Sequence, residues 1–342
     1  MDALVEPEAA LRAWSIEGAV RASADPGNIN RTYEVGDPPV AILQWVNPIF
    51  RPEVNLDIRD ACNQLVGIAT PRLLPTREGA LWTMDPSGGH WRATTFLPGR
   101  TLHKLENAAQ ARAAGAYLGR FHAGLRSWNH TFQAPRLGVH DTAKHMRFLA
   151  ETIAARTEHA LHADAAAVAA GIAAGWSAWR GTLDLPERIV HGDPKVSNLR
   201  FTGDEVTGIL DLDTIGWLPY AAEMGDAWRS WCNPAASEDD LDGTRFDVST
   251  FAASLDGWLS TAPALEPAER RAIVPGIERI CLELAARFCA DALANTYFRE
   301  DRVRWPQVGT HCLARARAQL RLAEDVRSKG DELEAEVARR PG

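Results

Sequence analysis

Residues 191–201 read HGDPKVSNLRF, a run of polar side chains that follows a short apolar segment at 189–190. Asp193 comes after a His and a Gly, Lys195 lies two positions further on, and Asn198 lies five positions further on. Ile189 and Val190 have the character of the last residues of a buried strand that leads into this polar stretch. The spacing therefore predicts a loop between two strands that carries an acid, a cation and an amide.

A second apolar run begins at residue 206 in VTGILDLDTIG (206–216), and two acids, Asp211 and Asp213, lie at its end. The TGDE turn at 202–205 favours antiparallel pairing of this segment with NLRF. Such pairing brings Asn198 and Asp211 to the same end of a hairpin. An amide oxygen and a carboxylate are ligands that Mg²⁺ accepts beside phosphate and water. The sequence therefore predicts a Mg²⁺–phosphate site here, and His191 is expected to support the loop structurally.

Asp193 and Lys195 complete the groups that phosphoryl transfer needs. A carboxylate that faces a substrate hydroxyl orients it and accepts its proton, and an ammonium neutralises charge on the phosphate in transit. A single Asp in a loop is more often a turn residue, but the joint spacing of the four groups favours a phosphotransferase site. We expect Mg²⁺ as a cofactor, Asp193 and Lys195 as catalytic residues, and Asn198 and Asp211 as metal ligands.

The bulk composition excludes several classes of partner. The 342 residues carry a formal net charge of −8, which argues against nucleic acid or an anionic membrane surface as the main partner. No apolar run is long enough to span a bilayer, and the N-terminus lacks the basic start and apolar core of a signal peptide. The five cysteines, none in a CxxC motif, are expected to be reduced thiols of a cytoplasmic protein. These observations favour a small-molecule substrate.

The first ninety-odd residues have the pattern of short strands around one helix. A GDPP turn joins predicted strands at 31–35 and 40–46, a helix is expected at 54–67, and strands are expected at 80–84 and 90–97. These segments predict a small antiparallel sheet that packs with a helix.

The remainder of the chain is predicted to be mainly helical. Apolar residues at three- and four-residue steps predict helices over 108–125 and from about 144 to 180, and the polar tail after Ser328 is expected to fray. The fold class is therefore α+β. A β-rich nucleotide-binding lobe is expected at 1–96, and a larger helical lobe at 97–342 is expected to bind the substrate and carry the catalytic groups.

The HGD loop resembles the catalytic loop of the protein-kinase-like superfamily, in its aminoglycoside phosphotransferase and choline kinase branch. The resemblance implies a two-lobed protein-kinase-like fold, with Asp193 as the base and Asn198 and Asp211 as Mg²⁺ ligands. Asp213 is a weaker candidate for a second ligand, and a role in orienting Thr214 or the loop backbone is equally supported. The resemblance also implies ATP as a cofactor, with its adenine against the hinge between the lobes. The residues expected to contact the nucleotide are Asn30, Gln44, Thr95 and Leu97.

Narrower motifs, HDTAKHMRF, LDLDTIG, EMGDAWR and RFCADALANTYF, resemble the N-acetylhexosamine 1-kinases of the same branch. That family phosphorylates the C1 hydroxyl of N-acetylglucosamine or N-acetylgalactosamine. The resemblance implies that Arg287 and Tyr297 contact the sugar, with Asn28 where the family commonly has a His. Asp226 is expected to support the catalytic loop from a helix. The predicted acceptor is therefore a sugar hydroxyl.

The predicted nucleotide side departs from the protein-kinase pattern. Protein kinases carry a Lys on the third strand that holds the α- and β-phosphates, and this chain has Gln44 there. Lys195 is expected to take over part of that charge. The loop DPGNIN at 25–30 has one Gly. Because of both departures, a pseudokinase that binds nucleotide without transferring phosphate stays open as an alternative.

A second alternative is a kinase of another alcohol: an aminoglycoside, a choline-like amino alcohol or a different sugar. Aminoglycosides and choline are cationic, so their pocket should be rich in exposed acids. The acidic run SEDDLDG at 237–243 is more typical of a solvated loop. Three tryptophans, Trp217, Trp228 and Trp231, are expected to be core residues rather than a platform for a sugar ring.

Overall fold

A computed structural model describes residues 5–23, 29–135 and 138–340. The chain has the predicted two-lobed protein-kinase-like fold, with an antiparallel sheet in the first lobe and a mainly helical second lobe. The predicted substrate residue Asn28 lies outside the described residues.

The first lobe is built on a six-stranded antiparallel sheet with strand order β1-β2-β3-β6-β4, and β5 pairs with β6. Its hairpin of β2 and β3 confirms the prediction, and Gly36 in the turn has φ 94°. The six strands are β1 (Val20–Ala22), β2 (Arg31–Val35), β3 (Ala41–Val46), β4 (Leu73–Leu74), β5 (Thr83–Met84) and β6 (His90–Thr95).

Two elements predicted in this lobe were longer than those in the structure. The strand expected at 80–84 shrinks to β5, because the backbone N–H and C=O of Ala80 bond to Thr76 in a turn. The helix expected at 54–67 ends at Gln64, followed by Leu65 at ψ 68° and Gly67 at φ 81°. This helix is α2 (Val54–Gln64), and a short α1 (Pro7–Leu11) precedes the sheet.

The second lobe packs around one long helix, α9, which is buried over most of its length. Helices α4, α5, α6 and α10 pack against it. Helix α3 instead packs on α7, and a Cβ at Gly115 of α3 would collide with the Ser254 carbonyl of α7. The helices are α3 (Ala108–Leu125), α4 (Thr142–Ala155), α5 (His162–Ala178), α6 (Tyr220–Trp231), α7 (Val248–Leu259), α8 (Pro267–Arg271), α9 (Ile273–Ala294), α10 (Thr310–Ser328) and α11 (Gly330–Ala338).

Two further predictions in this lobe need correction. The predicted tract from about 144 to 180 is helical, but a turn after Ala155 divides it into α4 and α5, which both pack on α9. The tail after Ser328 does not fray. It forms α11, whose Leu333 and Val337 are buried in the main core of the lobe.

Five short strands carry the loops of the second lobe: β7 (Arg100–Thr101), β8 (Glu187–Val190), β9 (Leu199–Thr202), β10 (Glu205–Ile209) and β11 (Gly216–Pro219). The predicted antiparallel pair of β9 and β10 is confirmed, with Leu199 opposite Ile209, and β7 joins its other edge. Strand β8 pairs with β11. Within residues 5–23, 29–135 and 138–340, no helix is long and apolar enough to cross a bilayer.

The five cysteines are free thiols, and all are buried. Burial raises the pKa of Cys281, Cys289 and Cys312 to about 12. Their side chains therefore serve as small apolar core residues, as the sequence predicted.

Candidate active site

A cavity of about 920 Å³ opens between the two lobes. Its first-lobe wall comes from β2, β3 and β6, and its second-lobe wall comes from the loops around β8–β10 and from α6 and α9. Except for the weaker candidate Asp213, the described residues that the sequence predicted for the site line this cavity: Asn30, Gln44, Thr95, Leu97, Asp193, Lys195, Asn198, Asp211, Arg287 and Tyr297. The structure thus brings together residues that lie more than 260 positions apart in the chain.

The loop after β8 is fixed by hydrogen bonds on both sides. The backbone N–H groups of His191 and Gly192 donate to the carboxylate of Glu223 on α6 at 3.1 and 2.8 Å. His191 Nε2 bonds to the Leu210 carbonyl at 2.7 Å, and its Nδ1 accepts from Asp193 N at 3.2 Å. His191 therefore has the structural role that the sequence predicted.

Gly192 has φ 83°, and a Cβ there would collide with the Thr214 carbonyl. A glycine is needed at this position because L side chains rarely adopt this backbone region. The conformation turns the chain immediately before Asp193. This local geometry explains why the predicted acid is preceded by a glycine.

Asp193 and Lys195 form an ion pair at the floor of the cavity, with Lys195 Nζ 2.5 Å from Asp193 Oδ2. Burial alone would raise the pKa of Asp193, but the ammonium of Lys195 outweighs burial and lowers it. Burial alone would lower the pKa of Lys195, but Asp193 and Asp211 raise it. Both groups are therefore charged at neutral pH.

Asn198 and Asp211 lie at the same end of the β9–β10 hairpin, as predicted. Leu210 N donates to the Asn198 carbonyl at 2.7 Å, and Asn198 Nδ2 donates to the Asp193 carbonyl at 2.8 Å. Since the amide nitrogen is used in this way, the amide oxygen is the atom that suits a cation. Burial and the charge of Asp213 raise the pKa of Asp211 to about 6.

These oxygens fit a hard cation that completes its coordination with phosphate and water. In the described part of the chain, no cluster of three or more His, Cys, Asp or Glu side chains offers an alternative metal site. Asp211 itself has φ 61°, a left-handed conformation that Asp and Asn tolerate better than most residues.

Asp213 has a partner that the sequence analysis missed. Its carboxylate forms a bidentate ion pair with Arg92 on β6, at 2.5 and 3.0 Å, and accepts from Asn30 Nδ2 at 2.8 Å. Both side chains of the ion pair are at most 5% exposed. Both oxygens of Asp213 are thus engaged by the first lobe, which argues against the predicted role as a second metal ligand or a partner of Thr214.

Arg92 also places a cation beside the position where the expected Lys is missing. Arg92 and Gln44 face each other across the β3–β6 ladder, and Arg92 Nε donates to Gln44 Oε1 at 3.0 Å. Gln44 therefore orients a cationic side chain that lines the cavity. An Arg in the middle of the buried strand HWRATT was the sequence feature that pointed to this group.

The prediction that Asp226 supports the loop after β8 named the wrong residue. Asp226 pairs with Arg229, three positions later on α6, at 2.8 Å. Glu223, one turn earlier, supports the loop instead, because its position at the start of α6 faces the N–H groups of His191 and Gly192. In the sequence, Glu223 is the acid of EMGDAWR nearest the start of the helix, and this position was the indication of its role.

Arg287 and Tyr297 meet on the far side of the cavity from β3. The Arg287 guanidinium lies 5.4 Å from the centroid of the Tyr297 ring and 5.5 Å from that of Phe298. This arrangement offers a planar cation and aromatic faces to a ligand. Of the three tryptophans, Trp228 and Trp231 are core residues as predicted, whereas Trp217 on β11 is 42% exposed.

The acids on the same side of the cavity all lie near cations. Besides the Asp226 pair, Glu238 is 3.9 Å from Arg229 and 3.6 Å from Arg315, and Glu283 is 2.9 Å from His140. No surplus of exposed carboxylates therefore lines this part of the described cavity. The charge pattern disfavours a strongly cationic acceptor.

Comparisons with known proteins identify the family to which the chain belongs. The model of the phosphotransferase enzyme family matches residues 23–263. The chain is 30% identical to a homoserine kinase of Methylorubrum populi over 60% of this chain and 59% of that protein, and 28% identical to one of Agrobacterium fabrum over 58% and 57%. The chain thus matches about three fifths of the length of these curated relatives.

Solved structures share the fold at low sequence identity. A microcompartment-associated aminopropanol kinase has a TM-score of 0.64 at 17% identity, covering 96% of this chain and 98% of that one. An amicoumacin kinase in complex with AMP-PNP, Ca²⁺ and its ligand has a TM-score of 0.61 at 16% identity, covering 92% and 91%. Because the family model spans well over half of the sequence, the chain belongs to the phosphotransferase enzyme family.

Proposed function

We propose that the protein is an ATP- and Mg²⁺-dependent kinase that transfers the γ-phosphoryl group to a hydroxyl of a small molecule. The observation that carries the proposal is the convergence of Asp193, Lys195, Asn198 and Asp211 on one cavity between the lobes. In this proposal residues 1–96 hold the nucleotide, with Asn30, Gln44, Thr95 and Leu97 in contact with it, and residues 97–342 hold the acceptor.

Asp193 orients the acceptor hydroxyl and takes its proton as the new O–P bond forms and the bond to the β–γ bridging oxygen breaks. Because Lys195 lowers the pKa of Asp193, this carboxylate is a weak base, and orientation is its larger contribution. Asn198 and Asp211 would hold Mg²⁺, which supplies charge neutralisation on the phosphates when bound.

Replacing Lys195 by Ala is expected to lower kcat by about 10²-fold, because the variant loses a preorganised cation near the transferred phosphate. Steady-state kinetics of ADP release measure the effect. The matched control is Lys104→Ala, since Lys104 is exposed, and this variant should keep wild-type kinetics. Near-normal turnover of Lys195→Ala would refute this role for Lys195.

For the acceptor we propose the anomeric hydroxyl of an N-acetylhexosamine or a related sugar. Arg287 beside the Tyr297 ring supports a neutral polar ring as the ligand, and the paired acids disfavour a cationic one. The second candidate is homoserine, because the curated relatives are homoserine kinases and a zwitterion also suits a site of paired charges.

The test is a coupled ADP-release screen with N-acetylglucosamine, N-acetylgalactosamine, homoserine, choline and an aminoglycoside. We expect turnover with an N-acetylhexosamine, and the ³¹P coupling of the product to the anomeric proton identifies C1 as the site. Turnover with homoserine and with no sugar would replace the first candidate by the second. Thermal-shift titration with Mg·ATP separates an inactive nucleotide binder from a protein that binds no nucleotide.

A further inference from the structure

The segment HDTAKHMRF contributes a buried group that the proposed mechanism has not used. His140 lies between α9 and the loop that carries Asp193 and is 7% exposed. Its Nδ1 is 2.9 Å from Glu283 Oε1, and its Nε2 is 3.3 Å from the carbonyl of Gly192. A carbonyl only accepts hydrogen bonds, and an ionised carboxylate only accepts them as well, so both ring nitrogens of His140 must donate.

The surroundings of Glu283 favour its ionised form. Thr142 Oγ1 donates to Glu283 Oε2 at 2.6 Å, and Arg279 donates to Thr142 Oγ1 at 2.8 Å and to the His140 carbonyl at 2.6 Å. Burial opposes ionisation, but His140 and Arg287 outweigh it and hold the pKa of Glu283 at about 2. The carboxylate in turn raises the pKa of His140 against the effect of burial.

We propose that His140 is a positioning residue, which as an imidazolium bridges Glu283 and the Gly192 carbonyl and thereby fixes the peptide that precedes Asp193. Glu223 holds the N–H groups on one side of this loop, and His140 holds the carbonyl on the other. Deprotonation of His140 at alkaline pH removes one of its two donors. The inference rests on the proposed role of Asp193 as the residue that orients the acceptor.

Several charged groups face His140 from the elements around it. They are Glu283, Arg279 and Arg287 on α9, Asp226 on α6 and His145 on α4. Together these charges raise the pKa of His140, so the ring is protonated below that pKa and loses its proton as the pH rises through it. We therefore expect kcat to be constant at neutral pH and to fall on the alkaline side.

The test is the pH profile of kcat for wild type and Glu283→Gln. Because loss of the carboxylate removes the charge that stabilises the imidazolium, the alkaline limb should move about 1–3 pH units lower in Glu283→Gln. His140→Gln should have a lower kcat, and its pH profile should lack this alkaline limb. The control is His159→Gln, in the turn between α4 and α5, which should keep the wild-type profile. An unchanged limb in Glu283→Gln would overturn the proposal.

A second measurement does not depend on turnover. In ¹⁵N spectra of histidine-labelled wild-type protein at pH 7, both ring nitrogens of His140 should have the shifts of an imidazolium, with assignment by His140→Gln. A neutral ring would overturn the proposal even if the kinase activity is confirmed. An imidazolium in a protein that phosphorylates no acceptor would support the geometry and refute only the proposed function.

Discussion

Replacing Asp193 by Asn is expected to lower kcat by about 10²–10⁴-fold, because the variant loses the carboxylate that orients the acceptor hydroxyl and accepts its proton. An amide cannot accept the acceptor proton, and it also loses the ion pair with Lys195 at 2.5 Å. Asn198 Nδ2 keeps its bond to the backbone carbonyl of residue 193, so the loop should retain its shape. ATP affinity should therefore change little.

Two measurements check this expectation: kcat with the best acceptor, and the dissociation constant of Mg·ATP by calorimetry. Asp242→Asn is the matched control, because Asp242 is exposed and the substitution is chemically the same. A variant at Asp193 that keeps more than about a tenth of wild-type turnover is incompatible with the general-base contribution and would refute the assignment.

Replacing Arg92 by Met is expected to lower the free energy of unfolding by about 3–5 kcal/mol. The substitution leaves the Asp213 carboxylate buried without its bidentate partner, and such an uncompensated charge is costly. It also removes the donor that engages Gln44 and the ion pair that joins β6 to the hairpin carrying Asp211. Urea unfolding followed by fluorescence measures the change.

The control uses an ion pair of the same type on the surface. Arg21 Nη1 and Asp37 Oδ2 are 3.2 Å apart, and the two side chains are 48% and 76% exposed. Arg21→Met should therefore lower the free energy of unfolding by only about 0–1 kcal/mol. The double variant of Arg92→Met and Asp213→Asn should be destabilised by less than the sum of the two single variants, because the two residues are in contact. Additive effects would mean that the two side chains do not interact in solution.

The sequence was sufficient to predict the site hairpin and the place of its polar groups at one end, because those features depend on local spacing. The positions of Asp193, Asn198 and Asp211 follow from a glycine turn, an antiparallel pair and a short loop, all within 21 consecutive residues. The fold class followed from the change of apolar period near residue 97.

Apart from His191, the groups that support the site were not predicted, because they come from distant parts of the chain. Arg92 lies 121 positions from Asp213, and His140 lies 143 positions from Glu283. Nothing local to either residue specifies its partner. Helix ends were misjudged for a related reason: the break after Ala155 and the burial of α11 are decided by packing on other helices.

The burial of all five thiols makes the folded protein suited to site-specific labelling. The thiolate is the reactive form of cysteine, and raised pKa values together with burial suppress it. Cysteines introduced on the surface of each lobe, as E78C and D184C, would therefore react selectively with maleimide dyes while the native cysteines stay protected. A donor and acceptor dye at these two positions would report, molecule by molecule, the distance between the two lobes with and without nucleotide.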